Sequence, residues 1–392
     1  MSRFLTNPLF RIPLLIVLLL ACFGVSGLVG LLSAQMIVEQ HLKGLRQLFV
    51  EKQIVATTST IPTVKVVSLE SRPPGPPSFT LFTSRRSSPV LDVMKKSALE
   101  KYGDDVFTSS DKAFASAIAL TTDGWMVMPD TAFKESRVAD LVVLYQGRTY
   151  SLQKAVRDTT IGAVFLKIMV QDLSVTAFVK STDVEQGMPV WIEPRSQHVS
   201  PQVILDTHVS ASSSDPFSSE RSVRRFLVSS SGQGMFAGGA VWDESGRLVG
   251  ILESRVADGW IVLPASNLSS ALSAVLSGQE IQHALLGVHA FDLSEIVFGE
   301  TSSTIPKRGA WIHADRRGML GVGKQSPAIQ VLREGDVIER IERDILDGTA
   351  DLGERLLDYR PGTTVNVFGK RQGKDFHFMV TLGTFIASEI LK

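Results

Sequence analysis

Residues 235–251 read Met235-Phe236-Ala237-Gly238-Gly239-Ala240-Val241-Trp242-Asp243-Glu244-Ser245-Gly246-Arg247-Leu248-Val249-Gly250-Ile251. Two short apolar runs, at 240–242 and 248–252, flank a polar turn, which is the pattern of a β-hairpin. The glycine pair ahead of them suits a place where two backbones approach closely. Outward from this hairpin the same texture repeats. Strands are predicted at 114–120 and 125–128 around the turn Thr121-Thr122-Asp123-Gly124, and at 141–145 and 148–152 around Gln146-Gly147. Others are predicted at 162–170, 189–193, 202–209, 224–229 and 260–263, followed by a helix capped near Ser266 or Asn267 and running to 276. Many short strands with turn signals between them argue for an all-β barrel or sandwich.

A smaller block begins at Leu285-Leu286-Gly287-Val288. Strands are expected at 309–314, 337–341, 364–369 and 376–382, and helices at 326–332 and 351–359, with turns at Pro361-Gly362 and Gln372-Gly373. From the proline cluster to residue 112 the chain is polar. Arg72-Pro73-Pro74-Gly75-Pro76-Pro77 breaks regular structure, a strand is expected at 64–69 and a helix at 90–101, and the segment 70–112 reads as a long inserted loop.

The chain has 392 residues, with 40 basic and 40 acidic side chains, so charge gives no pull toward nucleic acid. Its single cysteine, Cys22, excludes an intrachain disulfide and a cysteine-type zinc site. Cys22 lies in an uncharged apolar run at 12–33, long enough to cross a hydrocarbon core of about 30 Å as a helix. Arg3 and Arg11 precede it, which favours residues 1–11 in the cytoplasm and the bulk of the chain outside. The run exceeds the apolar core of a cleaved signal peptide, about 7–15 residues, so an anchor is the expectation and cleavage the alternative. Residues 34–54 read as a stalk.

Three segments resemble the HtrA-like, trypsin-fold serine proteases. Asp123-Gly124-Trp125-Met126-Val127-Met128-Pro129-Asp130-Thr131-Ala132 resembles the family's D-G-x-I-V-T-N-x-H-V, with the histidine position at Thr131. Ile161-Gly162-Ala163-Val164-Phe165-Leu166-Lys167-Ile168 resembles D-[IL]-A-V-L-K-I, with the aspartate position at Gly162. The opening stretch resembles G-N-S-G-G-P-L-x-N-x-x-G-x-V-I-G-I, with the serine position at Ala237. The terminal block resembles a bacterial PDZ domain through Leu332-Arg333-Glu334-Gly335-Asp336-Val337-Ile338, Ser326-Pro327-Ala328 and Tyr359-Arg360-Pro361-Gly362.

A trypsin-type mechanism needs a hydroxyl nucleophile, an imidazole base and a carboxylate to orient it. Ala237, Thr131 and Gly162 supply none of them. The absence of a base does not depend on alignment, because no histidine occurs between His41 and His198. Phe236 and Pro129 also alter the neighbourhood in which active relatives build an oxyanion hole. Ser229, Ser230, Ser231 and Lys134 offer a serine–lysine alternative, though serine runs are more often loops. No histidine spacing suggests a metal.

The resemblance implies a mainly β protein: a trypsin-like double β-barrel at 55–278, one PDZ domain at 280–388, and an N-terminal transmembrane helix. PDZ domains add a peptide as an extra strand and hold its terminal carboxylate on backbone N–H groups. By resemblance that groove falls on Leu285, Leu286, Gly287 and Val288, with Ile338 beneath; an ordinary edge strand is the competing reading. The expected role is a catalytically inactive, membrane-anchored scaffold or adaptor on the outer side of the cytoplasmic membrane. Its expected ligands are peptides or protein C-termini, and no metal or other cofactor is expected. A homotrimer, or a hetero-oligomer with an active paralogue, is implied. The alternatives are a divergent serine endopeptidase of envelope quality control with relocated catalytic residues, and an assembly factor that works through the 72–112 loop.

Overall fold

The structure is a computed structural model and describes residues 88–102, 105–133, 137–195, 198–210, 216–222, 224–230, 237–296, 306–314 and 318–391. The expected membrane span, the stalk, the strand at 64–69 and the loop up to 87 lie outside the described residues, as do Lys134, Ser231 and Phe236. Among the described residues no helix is long and apolar enough to cross a membrane.

The first layer is an eight-stranded sheet. It contains β1 (Val90–Lys95), β4 (Ala115–Ala119), β5 (Trp125–Pro129), β6 (Leu141–Tyr145), β7 (Arg148–Ser151), β8 (Lys154–Asp158) and β9 (Ala163–Lys167). A small hairpin, β2 (Glu100–Tyr102) and β3 (Asp105–Phe107), stands apart from it. The eighth strand of the sheet, β25 (Ser388–Leu391), arrives from the far end of the chain and pairs antiparallel with β8.

β1 corrects the helix expected at 90–101 and with it the loop expected through 112. Val90 to Met94 are all buried, because β1 is flanked by β4 on one side and β6 on the other. Val90-Leu91-Asp92-Val93-Met94, buried on both faces, carries no strict alternation to separate strand from helix. Asp92 is carried in with it, beside Arg195 at 3.4 Å.

The second layer is a closed barrel in the order β10-β11-β13-β16-β15-β14. Its strands are β10 (Pro189–Arg195), β11 (His198–Ser210), β13 (Arg224–Val228), β14 (Ala240–Trp242), β15 (Leu248–Val256) and β16 (Gly259–Pro264). The opening hairpin is thus β14 and β15, paired antiparallel. The seam between sheet and barrel is apolar. Val127, Phe165, Trp191, Trp242, Leu248 and Leu263 meet there, and the helix α2 (Leu268–Ser277) adds Leu268, Ala271 and Val275. A single helical turn, α1 (Asp130–Phe133), follows β5.

The third layer is a seven-stranded sheet built on β18 (His289–Asp292), β19 (Ala310–Ile312), β20 (Val337–Ile341), β22 (Thr364–Arg371) and β23 (Lys374–Thr381), with β21 (Asp344–Ile345) beside β20. Its seventh strand, β12 (Phe217–Ser218), comes from the connection between β11 and β13. A two-stranded ribbon of β17 (Gln282–Leu285) and β24 (Gly383–Ile386) lies beside it, and α3 (Leu352–Leu356) is capped by the Asp351 carboxylate on Glu354 N–H. The helix expected at 326–332 is a run of turns. Ser326 Oγ takes Ala328 N–H at 3.0 Å, and the backbone bonds Ile329→Ser326 and Val331→Ala328 are turn-type. A serine hydroxyl that captures a local N–H competes with the helix ladder.

Candidate functional site: an occupied cleft and an occupied groove

The three positions that resemble a protease triad converge on two residues of β15. Thr131, exposed on α1, donates its hydroxyl to Glu253 O at 2.9 Å. Gly162, at φ +75°, faces the Glu253 side chain: a Cβ there would stand 4.0 Å from Glu253 Oε1 and 3.2 Å from Arg225 Nη2. Next to Ala237, Gly238 donates its N–H to Leu252 O at 2.7 Å. The glycine pair is required by packing. A Cβ on Gly238 would lie 1.6 Å from Ser116 O, and one on Gly239 would lie 2.6 Å from Pro194 Cα. Gly238 also holds φ +89°, where a side chain is strained.

What fills the cleft is an ion pair. Arg225 Nε contacts Glu253 Oε2 at 2.5 Å, and the two side chains are only 10% and 13% exposed. The rest of the guanidinium is spent on backbone oxygens: Nη1 donates to Ser222 O and Arg224 O, at 3.1 and 3.0 Å, and Nη2 donates to Ile161 O at 3.1 Å. A guanidinium is charged at every working pH and has no acceptor. It therefore places a fixed cation over Gly162, where proton transfer would need a carboxylate and an imidazole. Glu253, whose carboxylate faces Gly162 and whose backbone oxygen meets Thr131, is tied to that cation.

The remaining candidates are occupied elsewhere. Ser229 Oγ donates to Gln202 Oε1 at 2.8 Å and accepts Val203 N–H at 3.0 Å, which holds it inside the barrel wall. His283 is buried on β17 and meets Asp158 at 2.8 Å, and Asp158 in turn takes Thr160 N–H at 2.9 Å. Among the described residues a histidine–hydroxyl contact is present: Thr207 Oγ1 with His208 Nδ1, 2.8 Å, between adjacent residues of β11. Burial, and then the charge of Arg224, holds the His208 imidazole below its usual pKa; Asp206, Asp292 and Glu354 oppose this. Among the described residues no group of three or more His, Cys, Asp or Glu is placed to hold a metal ion.

The groove positions lie together at the edge of the C-terminal sheet. Leu285 ends β17, while Leu286 and Val288 are fully buried with Ile338 in one apolar cluster. Gly287 points its N–H at Glu220 Oε1, 2.8 Å, and Val288 pairs with Ser219. Sequence reasoning missed Arg225 and Glu253, and it missed residues 217–220. Two adjacent arginines, Arg224-Arg225, opening a strand destined for burial were the available signal: such charges are buried only when paired.

No protein-family model matches the chain. It is 25% identical over 158 residues to the periplasmic pH-dependent serine endoprotease DegQ of Escherichia coli (strain K12), covering 39% of this chain and 33% of that one. It is 28% identical over 160 residues to the serine protease Do-like HtrA of Lactobacillus helveticus, covering 37% of each. The matched stretch is thus about a third of the length of these curated relatives. Among solved structures, the HtrA-type protease AlgW with decapeptide superposes with TM-score 0.53 at 18% identity, over 76% of this chain and 97% of that one. AlgW with tripeptide gives TM-score 0.53 at 18% identity, over 79% and 97%. At this identity the structural likeness is one of fold. In fold the chain is a mainly β protein similar to HtrA-type proteases on the trypsin-type scaffold, and the sequence relatives it resembles are serine proteases.

Proposed function

We propose that this protein is a proteolytically inactive HtrA-like scaffold or adaptor that binds peptides or protein C-termini at the cell envelope. The observation that carries the reading is the Arg225–Glu253 pair above Gly162. Ala237 offers no nucleophile and Thr131 spends its hydroxyl on a backbone oxygen. The C-terminal sheet is read as a PDZ domain, with Leu285, Leu286, Gly287 and Val288 as its carboxylate loop. The AlgW structures carrying a decapeptide and a tripeptide support a peptide ligand by analogy of fold. The uncharged run at 12–33 is read as a single inner-membrane span, with the bulk of the chain extracytoplasmic. Assembly as a homotrimer, or with an active paralogue, belongs to the same reading.

The curated relatives are serine proteases, so a divergent active endopeptidase is the second reading, and the Thr207–His208 contact is what it would use. Incubation of the full chain with a fluorophosphonate probe and with casein separates the two. Inactivity predicts no labelling and no cleavage. Labelling abolished by Thr207→Val, or by loss of any one serine, establishes the second reading.

A further inference from the structure

The groove of the C-terminal sheet is filled by the barrel's own chain. After β11 the backbone leaves the barrel and runs as β12 antiparallel to β18, with Phe217 opposite Ala290 and Ser218 opposite His289. The pairing continues past β12. Ser219 N–H donates to Val288 O at 2.8 Å, and Val288 N–H donates to Ser219 Oγ at 3.1 Å. Glu220 then lays its carboxylate on Gly287 N–H at 2.8 Å, and the hydroxyls of Ser218 and Ser219 donate to the same carboxylate. Ser219 and Glu220 are buried.

The opposite wall is the start of α3. A Cβ on Gly353 would stand 2.1 Å from Arg221 O, and Asp351 Oδ2 takes Arg224 N–H at 2.7 Å. A hollow beside the segment is lined by Phe217, Ala290, Leu346, Ala350 and Leu352.

A strand added to a sheet edge and ending in a carboxylate on a backbone N–H is the geometry of C-terminal peptide capture. Here the carboxylate is the side chain of an internal residue. We propose that residues 217–220 are an intrachain ligand that closes this groove, and that a free peptide terminus enters only by displacing them. The inference rests on the reading of 285–288 as a carboxylate-binding groove. A short tether presents its ligand at an effective concentration of the order of millimolar, so it weakens a micromolar free peptide by roughly 100-fold or more.

The test uses the full chain in detergent as wild type, Glu220→Ala and Ser219→Pro; the proline removes the N–H that meets Val288 O. Hydrogen–deuterium exchange is read over 286–291. Binding is read by anisotropy of a fluorescein-labelled peptide Pro-Phe-Ser-Ser-Glu with a free carboxyl end, the sequence of residues 216–220. The variants are expected to speed exchange at Gly287 and Val288 by about tenfold or more, and to bind the probe about 100-fold more tightly than wild type. Unchanged exchange in both variants, or measurable probe binding of equal strength by wild type and variants, overturns the proposal. Faster exchange with no probe binding upholds the intrachain ligand and removes the peptide-binding role proposed above. If the variants fail to fold by circular dichroism, the pair Ser218→Cys and His289→Cys decides. A disulfide forming across these strand partners under mild oxidation upholds the proposal, and its absence overturns it.

Discussion

Removing Arg225 should cost this protein far more than removing the pair it belongs to. Arg225→Met deletes the partner of a carboxylate that is only 13% exposed, together with three hydrogen bonds to Ser222, Arg224 and Ile161 oxygens. Leaving one member of a buried pair alone costs about 3–5 kcal/mol. Glu253→Gln should be milder, about 1.5–3 kcal/mol, because the guanidinium keeps its backbone acceptors and loses one charge-assisted bond. Arg225→Met with Glu253→Leu removes both charges and fills the space with apolar atoms, so it should recover most of the loss. Thermal melts of the four proteins read the cycle: at about 2–4 °C per kcal/mol, Arg225→Met should melt roughly 10 °C below wild type. If Arg225→Met melts within about 2 °C of wild type, or the double variant is as unstable as Arg225→Met, the pair is not what fills the cleft.

Restoring the triad chemistry alone should fail: Thr131→His, Gly162→Asp and Ala237→Ser together are expected to give no fluorophosphonate labelling, since Arg225 stands 3.2 Å from where the new Asp Cβ would lie. Labelling of that triple variant would show that the cation is displaced with ease. Gly238→Ala is expected to destabilise by at least about 3 kcal/mol, because its methyl meets the Ser116 carbonyl and its φ is positive, and a shift in urea midpoint measures this. His208 binds its proton less readily folded than unfolded, so its contribution is complete above about pH 6.5 and is lost as pH falls below that. His208→Gln should flatten the fall in melting temperature on the acid side, and an unchanged pH profile would contradict this.

The mainly β class was legible because turns such as Gln146-Gly147 and Thr121-Thr122-Asp123-Gly124 punctuate short apolar runs, and these became β6, β7, β4 and β5. The helix misread at 90–101 shows where periodicity fails: a strand with both faces covered looks like any apolar run. The turns at 326–332 failed for a local reason, a proline after a serine whose hydroxyl competes for backbone donors. At the candidate site, the lack of a histidine between 41 and 198 could be read directly from the chain. The contents of the cleft could not. Gly162 shows its neighbour only once β13 is folded across it, and Glu220 reaches Gly287 across 67 residues. β8 and β25 were both unmarked by any turn or motif that pointed to their pairing.

That last pairing has a consequence for synthesis. Arg157 on β8 and Glu389 on β25 form a 2.6 Å ion pair across 232 residues of chain. At about 5–20 residues per second, β8 leaves the ribosome roughly 10–50 s before the strand that covers it. For that interval its outer rim of peptide groups is a template for any passing extended segment. Lys154 keeps a cation on the waiting strand, whereas Arg157 already meets Asp130 at 2.7 Å, and a charge on an open strand discourages a second nascent copy from docking there. When β25 closes that edge, Glu389 joins Asp130 on the Arg157 guanidinium, so the last strand to emerge completes a charge cluster begun before it.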